Sequence, residues 1–172
     1  WDNACQAMVA LAEHLGAPVL TTSKCKGAIP EDHLLRAGCI IGGLIERDLV
    51  SKADLIITIG LDAVELQPKG WPYTTRVLSF ANTPSLDAMV ACNEEVIGAL
   101  GPLLTAIVEN IPQGSGWGFN AAKTFREKVC TALDTPASGL SPQRVVDCAR
   151  SIMPVDTIAT CDAGASRLLV VQ

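Results

Sequence analysis

An apolar run without alternation, Leu55-Ile56-Ile57-Thr58-Ile59, closed by Gly60, constrains this chain more than any other feature. A strand wetted on one face alternates apolar and polar residues. A strand that does not alternate must be covered on both faces, as the central strands of parallel sheets are. Helices do the covering, and the sequence supplies them. Residues 3–15 place Ala4, Met8, Leu11, Ala12 and Leu15 at helical spacing, with Asp2 or Asn3 able to cap the start and Gly16 to stop it. Residues 18–20 then form a short buried strand, which empties into a polar loop, Thr22-Ser23-Lys24-Cys25-Lys26-Gly27. Loops at the C-terminal ends of parallel strands are where open α/β sheets hold ligands.

The same alternation continues downstream. Residues 42–52 suggest a second helix through Leu44, Ile45, Leu49 and Val50, residues 76–80 a third strand, and residues 88–91 a short fourth. Asn93 reads as the cap of a helix running to about residue 110, with Glu94 and Glu95 on its positive end. The Gly- and Ser-rich residues 112–118 read as a linker, followed by a helix over residues 119–133. Ser141-Pro142 opens another helix as cap and first residue; it ends near Met153-Pro154, and residues 157–161 read as a strand. The expected fold class is therefore α/β, a Rossmann-like, doubly wound parallel sheet flanked by helices. The chain opens inside a helix and closes on the apolar Leu168-Leu169-Val170-Val171-Gln172, so it reads as a piece of a longer protein.

Composition excludes several classes. With 172 residues there is room for one ordinary domain and part of a second. Thirteen scattered basic residues under a net charge of −5 argue against nucleic acid. No apolar stretch reaches the ~18–20 residues of a membrane span, and the first residues lack the basic region and apolar core by which a secretory signal is expected to show. Seven widely spaced cysteines without a C-x-x-C pair read as reduced thiols of a cytoplasmic protein, and Cys5, Cys130, Cys148 and Cys161 fall on apolar positions, so burial is expected. No metal site is expected from His14 and His33, the first on an exposed helix face, the second anchoring its loop by hydrogen bonding. Lys24 and Lys26 read as solvated. Trp71 and Tyr73 read as an assembly patch, or as a plug within the molecule.

Three stretches together resemble thiamine-diphosphate-dependent enzymes, the acetolactate synthase, pyruvate oxidase and benzoylformate decarboxylase group, the first two their central domain and the third the start of their C-terminal domain. Residues 15–33 follow the family pattern L-G-x-P-V-x-T-T-x-x-G/A-K-G-x-x-P-x-D-H, with Cys25 at the small position. The second is Ala53-Asp54-Leu55-Ile56-Ile57-Thr58-Ile59-Gly60. The third is Leu140-Ser141-Pro142-Gln143-Arg144-Val145-Val146, followed by Asp162-Ala163-Gly164-Ala165-Ser166-Arg167. The resemblance implies a central α/β domain over residues 1–111 with its first strand missing, a linker with one helix over 112–139, and the start of a C-terminal cofactor-binding domain over 140–172.

It also implies a parent enzyme that uses thiamine diphosphate and Mg²⁺ on a 2-oxo acid, as a homo-oligomer. The family's D-x-G-x-H turn approaches the cofactor's diphosphate, which carries over to Asp162, Gly164, Ala165 and Ser166 as cofactor-binding residues, Ser166 standing where the histidine would. Relatives that hold FAD or ADP use an arginine after the Gly-ended strand and an acid after the next. Here Asp62 and Ala81 occupy those places, so FAD is not expected. The activating glutamate and the metal-holding G-D-G…N run fall outside these residues, and the piece is expected to be catalytically inert. Two rival readings are a nucleotide-binding regulatory module and a scaffold for subunit assembly.

Overall fold

The computed structural model describes residues 2–66, 71–84, 90, 92–134, 139–162, 164 and 169–170. The chain divides into two compact units, residues 1–125 and residues 126–172.

The first unit opens with helix α1 (Asp2–Leu15), which stops at Gly16, where φ is +59°. Strand β1 (Val19–Thr21) follows and pairs in parallel with β2 (Arg36–Cys39). After the one-turn helix α2 (Arg47–Val50) come β3 (Leu55–Ile59), β4 (Arg76–Ala81) and β5 (Glu94–Ile97), all parallel and in the order β3-β4-β5. Helix α3 (Leu100–Asn110) closes the sequence of alternating elements, and α4 (Gly118–Leu133) begins with Gly118, Ala122 and Phe125 buried. The architecture is α/β with parallel sheets flanked by helices. The described strands form two hydrogen-bonded sheets, one of two strands and one of three.

Alternate residues of β3 and β4 serve two cores, as a doubly covered sheet requires. On one face Ile57, Ile59, Leu78 and Phe80 pack with Ala7 and Leu11 of α1 and Leu100 and Leu104 of α3. On the other, Ile56 and Val77 pack with Leu66, Val90, Ile40 and Trp71. Trp71 thus packs within its own chain, which favours the plug over the assembly patch. Residues 112–118 are tied down by backbone: Gly114 N–H donates to His14 O at 3.0 Å and Gly118 N–H to Gly16 O at 2.8 Å. Glycine is required there, because a Cβ on Gly118 would collide with the Gly16 carbonyl oxygen and the Pro18 nitrogen.

Several expected elements differ. The helix expected to start after Asn93 begins only at Leu100, and Glu94 and Glu95 lie in β5. Asn93 is drawn into the sheet instead: its Oδ1 accepts from Val77 N–H at 2.8 Å and its own N–H donates to Val77 O at 2.9 Å. Strand β2 was not expected, because Arg36-Ala37-Gly38-Cys39 lacks β-branched residues. The helix expected over 42–52 shrinks to four residues, as Gly42 and Gly43 oppose helix at its start. The strand expected over 88–91 lies, Val90 apart, outside the described residues.

In the second unit, α5 (Pro142–Ile152) starts as the sequence suggests: the Ser141 side chain accepts from Arg144 N–H at 3.2 Å, with proline at the first position. No strand forms over residues 157–161, which are irregular and exposed. None of the described residues of 126–172 is buried.

Candidate functional site

The C-terminal ends of β1 and β3 meet through charged side chains. Lys24 leaves the loop after β1, and its Nζ lies 3.3 Å from Asp62 Oδ2 and 3.3 Å from Glu65 Oε1, both beyond β3. The Lys24 backbone N–H also donates to Glu65 Oε2 at 3.0 Å. Asp62 is fixed from its own loop, its Oδ1 accepting from Val64 N–H at 3.1 Å. That bond, and then the bond from Lys24, hold the Asp62 carboxyl below its usual range. Bonds to Asp62 and Glu65 raise the Lys24 ammonium above its ordinary value. Lys24 stays exposed, as expected, but it is oriented by these two acids. A cation of the chain itself occupies the acids at the mouth of the sheet.

The rest of the loop is braced in the same way. Glu31 reaches Arg36 at 2.8 Å and Lys26 at 3.9 Å. His33 Nδ1 accepts from Leu35 N–H at 3.2 Å, which assigns the ring proton to Nε2, 3.1 Å from Glu13 Oε1. His33 anchors its loop, as expected. His14 does not stand exposed: it is half-buried, with Nε2 3.0 Å from the Ile111 carbonyl. Beyond β2, Glu46 is fully buried, and its Oε1 accepts from Ile41 N–H at 2.8 Å and Gly43 N–H at 3.3 Å. A buried carboxylate needs such partners. Sequence reasoning missed it because its partners are backbone groups, which no side-chain pattern reveals.

All seven cysteines are free. Cys39 is buried and burial pushes its thiol up, whereas Cys130, Cys148 and Cys161, expected to be buried, are exposed. Of the expected cofactor-binding residues, Asp162 and Gly164 are exposed, and Ala165 and Ser166 lie outside the described residues. A diphosphate cradle needs backbone N–H groups fixed by a strand end and the first turn of a helix. No strand leads directly into Asp162, residues 157–162 being irregular. Nor do the described residues bring three His, Cys, Asp or Glu side chains together in a way that could hold a metal ion. By themselves the described residues build neither a diphosphate cradle nor a three-ligand metal cluster. No helix among them is long and apolar enough to cross a membrane.

The family described as "Thiamine pyrophosphate enzyme, central domain" matches residues 1–107. The chain is 26% identical over 174 residues to the acetolactate synthase large subunit of Parasynechococcus marenigrum (strain WH8102), covering 94% of this chain and 28% of that protein. Its fold matches the X-ray structure of a protein from Mycobacterium smegmatis described as thiamin diphosphate-dependent, with a TM-score of 0.65 and 21% identity, over 98% of this chain and 33% of that one. The chain thus spans about a third or less of these proteins.

Proposed function

The chain belongs to the central-domain family of thiamine pyrophosphate enzymes, and from that premise we propose that it is part of an acetolactate-synthase-like enzyme acting on 2-oxo acids, in which it serves as scaffold. Residues 1–111 are the central domain, residues 112–139 the connection, and residues 140–172 the start of the cofactor-binding domain. In the parent, thiamine diphosphate with Mg²⁺ would supply an electron sink for 2-oxo acid chemistry. Asp162, Gly164, Ala165 and Ser166 belong to the turn beside its diphosphate. By itself the chain is inert. The parent is a cytoplasmic homo-oligomer, and seven free thiols support a reducing compartment.

One observation carries the scaffold reading. Where a parallel sheet offers its loops to a ligand, Lys24 is already paired with both Asp62 and Glu65, and the three groups together keep a net negative charge. The same contact weighs against the nucleotide-binding module, because a pyrophosphate approaching this mouth meets acids rather than a free cation. The break between the two sheets supports a further strand in the parent, since β1 and β3 each pair on one side only among the described residues.

The test is thermal unfolding of the 172-residue chain with thiamine diphosphate and Mg²⁺, with ADP and with FAD, alongside a pyruvate turnover assay. No shift and no turnover are expected. A ligand at a hundred times its Kd would add ~2.7 kcal/mol of stability, and such a shift with ADP or FAD would replace the scaffold by the nucleotide module. Turnover of pyruvate would end the inert reading.

A further inference from the structure

Three buried side-chain polar atoms have no hydrogen-bond partner among the described residues: Glu46 Oε2, Trp71 Nε1 and Tyr73 Oη. Groups of this kind are rare in folded proteins and call for an explanation. These three share one neighbourhood. The Trp71 and Tyr73 rings stand edge to face, with centroids 4.9 Å apart at 75°. The charge of Glu46 acts on the Tyr73 phenol. Ile40 packs in the same cluster as Trp71, and the next residue, Ile41, gives its N–H to Glu46 Oε1.

Their chemistry is complementary. A carboxylate oxygen only accepts, an indole N–H only donates, and a phenol can do either. A direct bond from Tyr73 to Glu46 is not made, and it would leave the indole stranded in any case. We infer that Glu46, Trp71 and Tyr73 form the binding site of one internal water, which accepts from Trp71 Nε1–H and Tyr73 Oη–H and donates to Glu46 Oε2. Three hydrogen bonds are what a buried water typically makes. The water joins the loop after β2 to the segment that leads into β4, so the aromatic pair carries a polar tie as well as an apolar plug.

The experiment is ¹⁷O relaxation dispersion of water on the full 172-residue chain, comparing wild type with Trp71→Phe, Tyr73→Phe and the double variant. Wild type is expected to hold one more water of microsecond or longer residence than the double variant, with the single variants shortening its residence. Equal numbers in wild type and double variant would overturn the inference. Should the variants fail to fold, a high-resolution structure of the wild type decides: density for a water touching all three atoms supports the site, and Tyr73 Oη bonded directly to Glu46 Oε2 refutes it.

Discussion

Helices α3 and α5 have the same length, 11 residues, and both are amphipathic, yet they end in opposite circumstances. Helix α3 has no side-chain cap, but it buries Leu100 and Leu104 against β4 and α1. Helix α5 has a serine cap and a proline at its first position, but Val145 and Ile152 stand exposed, the latter at 81%. Local signals decide that a helix starts; burial of its apolar stripe decides what it contributes to a fold. The first unit has that burial, and the described residues of the second do not.

Core truncation should separate the two regions most strongly. Leu104→Ala is expected to lower stability by about 2–5 kcal/mol, whereas Ile152→Ala should stay within about 0.5 kcal/mol. Urea unfolding read on the same chain checks both, and equal losses would break the comparison. A glycine pair sharpens it. Gly118→Ala forces a Cβ onto the Gly16 carbonyl, at an expected cost of about 1–3 kcal/mol. Gly139→Ala meets nothing within 4 Å and should be neutral to about 0.5 kcal/mol. Ser141→Ala removes the cap of α5, about 1 kcal/mol of that helix. Circular dichroism should therefore lose helix while the urea midpoint of the first unit stays put.

The smallest effect concerns the one tyrosine of the chain. Burial first, and then the charge of Glu46, raise the Tyr73 phenol above its ordinary value of 10.0. Because the folded value is the higher, its contribution to stability is intact below that pH and is lost as pH rises through the raised value. Ultraviolet titration should place the midpoint above 10.0, and Glu46→Gln should bring it down. A midpoint unmoved by Glu46→Gln would separate the two groups.

What the sequence made legible follows from the range of the interactions. Strand β3 was readable because its apolar run and Gly60 are contiguous, and α5 because Ser141-Pro142 is a local signal. Strand β5 was misread because Asn93-Glu94-Glu95 looks like a helix start, when Asn93 in fact answers Val77, sixteen residues back. The pairing of Lys24 was not readable because its partners, Asp62 and Glu65, lie 38 and 41 residues away. Residues 157–161 carry a strand-like pattern, but a strand needs a neighbour, and none pairs with them among the described residues. Asp162 and Gly164 inherit that difficulty: the resemblance could name them, but the described residues around them do not build a site.

Hydrogen exchange on the intact chain tests most directly the claim that residues 1–125 hold the fold while α5 adds little to it. Amides of β3, β4, α1 and α3 are expected to exchange only through global unfolding, and those of α5 near the rates of an unfolded chain. Protection of α5 equal to that of α3 would contradict the account.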